Sequence, residues 1–450
     1  MRDLVFVGYL LALIGIGFRR PFVFVLGFVY IDIVAPQRLT YLLLNSIPIS
    51  LIMFVLAVGC WALFDDKRNA RFTPRQALML MLLIYCGATT TQADFPLQAA
   101  DKWSWVWKAL AFAIFLPFTL RTRLRIEALA LFMVLSAASI IIVGGIKTLA
   151  SGGGYGALNL MVSNNTGLYE GSIISCVAIA IIPIILWLRK YGTVYKPEWR
   201  VDVFAFALIF ACLLIPIGTQ ARTGLICAGI LAILALRYTK RRMLYLSLIG
   251  AVALIAVPLL PKSFTQRMDT IKSYQADESA STRLAVWAWT WDYVQEHPFG
   301  GGFQAYLQNQ LRYERVDTKG SGAHQDVEAT VTTDRARAYH SSYFEMLGEQ
   351  GFAGLFLWLL IHGTGLIRME FLHRRFRKRD EQNGQWIGSL AGALQQAHLI
   401  YMFGSLFVGI AFQPFVYMLV GLQIGLDTYA RQSFGLAELR PMGKLAKATA

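Results

Sequence analysis

The sequence predicts an all-α polytopic membrane protein with about 12 transmembrane helices and one large polar loop domain. Three observations predict it. Of 450 residues, 56% are hydrophobic and 15% charged, whereas an average soluble domain carries about 25% charged residues. Apolar runs close to the roughly 20 residues that cross a bilayer recur along the chain. The net charge of +15 lies in short clusters between those runs. Nucleic-acid binding gathers basic residues on one face, so that class of partner is excluded.

The first 35 residues hold two short apolar runs, 4–18 and 21–35, broken by Arg19, Arg20 and Pro21. They read as two short spans or as one kinked unit. No small-residue cleavage site follows the first run, so no cleavable signal peptide is expected. The next spans fall at 45–64, 74–91, 103–120, 126–147, 169–188 and 202–219, with a shorter apolar segment at 222–236. Further spans follow at 243–260, 351–368, 387–410 and 413–430. Cys60, Cys86, Cys176, Cys212 and Cys227 all fall inside spans without a C-x-x-C pair, and read as small buried hydrophobes rather than a disulfide or metal framework. No period of 20–50 residues repeats.

Dividing the charge by connection gives the orientation. Alternate connections and the C-terminal tail, together with the Arg19/Arg20 turn, hold +17; the other face holds −2. Cytoplasmic loops carry the excess of Lys and Arg, so the basic face is cytoplasmic and segment 261–350 lies outside. The expected organisation is an N-terminal membrane region 1–190, central helices 191–260, the outer loop domain 261–350, C-terminal helices 351–430 and a cytoplasmic tail 431–450.

A 90-residue polar insertion is far longer than an ordinary connection and is the first place to seek chemistry. Within it, 281–296 reads as a helix capped by Ser281 or Thr282, with Leu284, Trp287, Trp291 and Val294 on one face. Its four aromatics suit a helix lying at the membrane surface. Pro298 and the triplet Gly300, Gly301, Gly302 mark a tight turn. Residues 305–338 are polar around a Gly/Ser-rich middle and read as the mobile part. Residues 341–350 read as a short helix with Tyr343, Phe344 and Leu347 as its apolar stripe, and Gly351 and Gly354 interrupt the pattern before the next span.

Candidate chemistry concentrates on three side chains. His340 stands at the start of a helix at the outer face, where an imidazole could exchange a proton near neutral pH; a surface or capping role is the alternative. Arg222 lies in the short outer turn TQARTG. It either snorkels to lipid phosphate or forms an anion site, since guanidinium binds phosphate oxygens bidentately. Arg283 sits at the predicted first turn of the Trp-rich helix, where solvation or an anion held by free N–H groups are both open. No metal and no cofactor are expected: the outer face has no D-x-D pair or His/Cys cluster at ligand spacing, and the glycine triplet is followed by no Gly-Lys-Ser/Thr. With no nucleotide motif, the energy for a reaction must arrive with the substrate, and a lipid-linked diphosphate is the natural activated donor.

At these residues the chain resembles a known family. His340-Ser341, nine residues, Gly351, two residues and Gly354 resemble the His-[Asn/Ser/Gln]-x9-Gly-x-x-Gly signature of O-antigen ligases. S-T-R-L-A-V-W…H-P-F-G-G-G-F and Q-A-R-T-G-L resemble two further patterns of the same superfamily, and all three occur in family order over roughly 200–425. The first ~190 residues look like the N-terminal region of ligases associated with exosortase systems.

The resemblance implies a transmembrane glycosyltransferase of the C type in the bacterial inner membrane. It would move O-antigen from undecaprenyl diphosphate to lipid A–core oligosaccharide at the periplasmic face, with inversion and without metal. His340 would be the general base or would orient the acceptor; Arg222 and Arg283 would hold the diphosphate; Pro298, Gly300, Gly302, Gly351 and Gly354 would shape turns near the site. O-antigen polymerases and protein O-oligosaccharyltransferases share the superfamily and the donor class. A transporter is the reading from another class, but transporters often show internal repeats, which this chain lacks.

Overall fold

The computed structural model describes residues 2–40, 44, 47–67, 70–151, 168–237, 241–244, 247, 278–319, 326–380 and 384–434. The expected span at 243–260, the segment 261–277, the Gly/Ser-rich tip 320–325 and most of the C-terminal tail therefore lie wholly or largely outside the described residues.

Helices α1 (Arg2–Arg19) and α2 (Phe22–Val34) are separate and antiparallel. Tyr9 meets Tyr30 at 4.8 Å and Phe18 meets Phe24 at 5.4 Å between ring centroids. That decides between the two readings of the N-terminal apolar runs. A single turn, α3 (Pro36–Leu39), precedes α4 (Ile49–Phe64) and α5 (Pro74–Thr91). Thr73 and Gln76 start α5 with a reciprocal capping box and Pro74 occupies its first position, the arrangement that satisfies free N–H groups at a helix start. Then follow α6 (Pro96–Thr119), α7 (Arg123–Ser151), α8 (Gly171–Tyr191), α9 (Trp199–Gly218) and α10 (Arg222–Leu236).

Beyond α10 come α11 (Glu278–Glu296), a hairpin of β1 (Gln310–Lys319) and β2 (Asp326–Arg335), then α12 (Ser342–Phe376), α13 (Gln385–Gly404) and α14 (Pro414–Phe434). The segments Arg123–Ala150, Gly171–Tyr191, Trp199–Gly218 and Ser342–Phe376 are long and apolar enough to cross a membrane, and α2, α4 and α10 are shorter apolar helices. The architecture is that of an α-helical membrane protein.

Contacts define two ends of the bundle. At one, Arg125 pairs with Asp65, Arg237 with Glu370, and the Trp187 indole donates to the Trp386 carbonyl. At the other, Lys102 of α6 pairs with α12, Ser342 N–H donates to Ser405 O, and Gly171 packs on Thr219. The basic connections sit at the first end. His340 and the glycine turn sit at the second.

One local expectation, the cap of α11, is corrected, and two others gain detail. The stretch 305–338, read as polar and mobile, contains an antiparallel hairpin of two ten-residue strands in register from Gln310↔Arg335 to Lys319↔Asp326. The reading weighed polarity over the period-two alternation of Val327, Ala329 and Val331 with polar residues, which is the strand signal. Helix α11 begins at Glu278, so Thr282 is buried inside it and neither Ser281 nor Thr282 is its cap. Its buried stripe is Thr282, Val286, Thr290 and Val294, while Leu284 and Trp291 are exposed.

Candidate active site

The backbone around His340 is pinned on both sides. Before it, the Tyr339 carbonyl accepts the Trp287 indole N–H at 2.9 Å, and that indole stacks on Phe344 at 4.9 Å. Farther back, buried Asn309 holds the chain in three bonds: its amide donates to Arg337 O, its side-chain oxygen accepts Arg337 N–H, and its carbonyl accepts Ala336 N–H. After it, the Ser342 hydroxyl donates to Val408 O and accepts Ile410 N–H at 2.9 Å. Between these anchors His340 is exposed and takes a φ of +49°. Positive φ in a non-glycine residue is strained and persists where its surroundings enforce it. Among the described residues Ala35, Gln220, Gln304, Ala336 and His340 have it, and all five lie at this end of the bundle.

The His340 pKa lies below the usual histidine value, first through desolvation by the protein packed around one side of the otherwise exposed ring and then through the Arg283 guanidinium; Glu170 opposes this and Arg337 adds to it. The imidazole is therefore neutral at neutral pH and able to accept a proton. His340, Arg283 and Glu170 thus share one neighbourhood. Glu170 also caps α8, accepting Ile173 N–H at 2.8 Å.

Arg222 opens α10, as expected, and is half-buried. It follows the α9–α10 turn, where Thr219 packs against Gly171 and hydrogen-bonds Ser175 at 2.8 Å, so it stands beside the Glu170 end of α8. Arg283 differs from its expected place. It is the sixth residue of α11, past the first turn, so free N–H groups of that helix do not add to its site.

The glycine turn and the glycine signature pack against each other. Gly351 has φ +64° and ψ −168°, which divides α12 into a short outer helix and a long one, where the sequence places the break. Into this kink fits the turn 297–302: Phe352 N–H donates to Pro298 O at 3.0 Å and Gly301 N–H to Gly348 O at 3.1 Å. A Cβ on Gly351 would stand 2.2 Å from Pro298 O, and one on Gly300 would stand 2.6 Å from the Glu349 carbonyl. Gly302 has φ +75° and abuts Ala93 of the α5–α6 turn. Gly354 is one turn farther along α12, facing Tyr85.

Sequence reasoning missed the ionic cluster beneath this turn. Buried Lys102 of α6 contacts Glu345 Oε1 at 2.7 Å and both Glu349 oxygens at 2.7–2.8 Å, between the rings of Phe303 and Phe412. Glu349 also accepts Gln304 N–H at 3.0 Å, and Glu345 accepts Ala411 N–H at 3.0 Å. Residues 342–350 thus bury a polar side, Glu345 and Glu349, beside the apolar stripe of Tyr343, Phe344 and Leu347, which packs on neighbouring apolar side chains. The available signal was a lysine at the margin of one span and two glutamates one helical turn apart at the margin of another. Such charges stay at a membrane edge when paired. Asp94 joins the same assembly: its N–H donates to Gly301 O, and its carboxylate accepts the Tyr293 hydroxyl at 2.7 Å. Burial, and then Asp94, raise the Tyr293 pKa, so the phenol stays protonated. Among the described residues no group of three or more His, Cys, Asp or Glu side chains is placed to hold a metal ion.

A helical membrane protein with a histidine and arginines gathered at one end of its bundle defines a class of membrane-embedded protein with a polar site at the bilayer surface. Residues 204–359 match the family described as O-Antigen ligase. That segment holds Arg222, Arg283, His340 and both signature glycines, and over it the chain is similar to the O-antigen ligase family. Residues 1–193 match a family of unknown function, DUF5935. A search of curated proteins returned no match.

Proposed function

We propose that the protein is an inverting, metal-independent glycosyltransferase. It transfers O-antigen from undecaprenyl diphosphate to lipid A–core oligosaccharide at the periplasmic face of the bacterial inner membrane. The observation that carries the reading is His340 itself. It is exposed at a strained backbone position beside Arg283, within the segment that matches the ligase family, and its pKa is lowered from the usual histidine value.

In this reading about 12 spans form the membrane domain, with 261–350 as the periplasmic loop domain. The acceptor hydroxyl oxygen attacks the anomeric carbon. Its proton passes to His340, and the bond from that carbon to the diphosphate oxygen breaks with its electron pair leaving on undecaprenyl diphosphate. Arg222 and Arg283 bind the diphosphate and meet its growing charge, the work that preorganised cations do for a leaving group. Lys102, Glu345 and Glu349 hold the turn and kink that set the His340 neighbourhood.

The test is ligation with purified protein, defined undecaprenyl-diphosphate donor and lipid A–core, in the presence of a chelator. Wild type should form product and His340→Ala should not, at equal folded protein. Product formed equally by both would remove His340 from the chemistry. Mass spectrometry of the acceptor separates lipopolysaccharide ligation from polymerisation or protein glycosylation, which use the same donor class.

A further inference from the structure

At the end of the bundle opposite His340, α7, α8 and α9 part to leave a cleft of about 340 Å³. Helix α8 runs from Gly171, just after its cap Glu170 beside His340, to Tyr191; at 1.5 Å per residue its 21 residues place the two sites about 30 Å apart. The cleft walls are apolar over two to three helical turns, with Leu131 and Leu135 of α7, Leu188 of α8, and Phe204 and Leu208 of α9 among them. Exposed Val203, Phe206 and Phe210 continue α9 outside the cleft, so it opens toward the hydrocarbon and not toward water.

Its mouth is different. Arg189, Arg200 and Tyr195 border it, with exposed Lys196 on the same connection and exposed Trp199 beside Arg200. Amphipathic Trp and Tyr concentrate at the headgroup level of a bilayer. Two acids at the mouth are already engaged. Asp202 pairs with Arg189 at 2.6 Å, and the Glu127 carboxylate accepts the Thr193 hydroxyl at 2.6 Å and the Val194 N–H at 2.7 Å. Glu198 is exposed and points to no cap of α9. Arg200, with Lys196, is the positive charge left facing the headgroup layer.

We propose that this cleft is a binding site for one anionic phospholipid of the leaflet opposite the candidate active site. An acyl chain fills the apolar slot between α7, α8 and α9, and the phosphate sits at Arg200. Basic pockets between transmembrane helices recognise anionic headgroups in this way. A chain lodged there braces α8 and α9, whose far ends carry Glu170 and the turn leading to Arg222.

The experiment uses the full chain in nanodiscs containing a trace of phosphatidylglycerol or phosphatidylethanolamine with a diazirine in one acyl chain. After irradiation, labelled peptides are mapped by mass spectrometry. The site predicts labelling of 131–135 and 201–208, several-fold stronger with phosphatidylglycerol. The exposed change Arg200→Ala should lower it to the phosphatidylethanolamine level. Ala205→Trp, which fills the slot, should abolish it with both probes. Equal labelling by the two probes in the wild type, or labelling unchanged in Arg200→Ala, would overturn the proposal and leave ordinary contact with bulk bilayer. Should Ala205→Trp fail to fold, Arg200→Ala decides the matter alone.

Discussion

Gly351→Ala tests the joint between the glycine turn and α12. The φ of +64° with ψ −168° belongs to a region open in practice to glycine alone, so an alanine there costs about 1–3 kcal/mol in strain. The added Cβ also meets Pro298 O at 2.2 Å, Phe299 C at 2.5 Å and Gly300 N at 2.7 Å. All three are backbone atoms of one tight turn, so no side chain can swing aside. Relief requires moving the turn off the kink, which gives up the Phe352-to-Pro298 and Gly301-to-Gly348 hydrogen bonds at about 0.5–1.5 kcal/mol each. The expected loss is about 2–6 kcal/mol. Gly363→Ala is the internal control: it lies in the same helix with no heavy atom within 4 Å of its added Cβ, and should gain about 0.5–1 kcal/mol. Thermal unfolding of both variants in detergent, followed by tryptophan fluorescence, reads the difference. A Gly351→Ala protein that melts with the wild type would refute the reasoning, because no remaining element could absorb that overlap.

Three further outcomes are expected. Lys102→Met leaves Glu345 and Glu349 buried without their cation, a loss of about 3–5 kcal/mol; adding Glu349→Gln should recover part of it, and a double variant no more stable than the single one would contradict the ion-pair account. The ligation rate should fall on acidification with a midpoint below the ordinary histidine value of about 6.5, because His340 must be neutral to accept a proton and its pKa is lowered. Arg283→Ala removes one cause of that lowering and should move the midpoint upward whatever rate remains; an unmoved midpoint would separate the two residues. Finally, Gln423 donates to His398 Nδ1 and accepts from Arg75, while His398 meets His362 at 2.7 Å, a polar chain linking α5, α12, α13 and α14. Gln423→Leu strands buried polar groups at about 1–3 kcal/mol, and an unchanged melting temperature would show that this chain does not brace the bundle.

The helical membrane architecture was legible because bilayer crossing imposes length and composition directly. The expected span 74–91 coincides with α5, and 169–188 lies within two or three residues of α8. The break at Gly351 was legible too, because two glycines in an apolar run leave few other meanings. What escaped was partnership. Val286, Thr290 and Val294 form the buried face of α11, while Leu284 and Trp291, on the apolar face the pattern names, are exposed, and which face meets the protein is not written in the helical period. Lys102 and Glu349 are 247 positions apart, and nothing local announces that they meet. The site histidine was found from its motif and its place before a helix. Its backbone strain and its neighbours Glu170 and Arg337 belong to tertiary structure.

The joint at Asp94 and Gly301 bears on how this chain can vary. Its N-terminal region matches one family and its ligase segment another, which invites treating them as exchangeable modules. Yet Tyr85, Thr89, Asp94 and Lys102 from the first grip Gln350, Gly301 and Glu349 from the second. A chimera cut near residue 200 would join two halves of a clasp made for other partners. These positions should therefore change together across relatives, and any graft of the ligase segment must carry residues 85–102 with it.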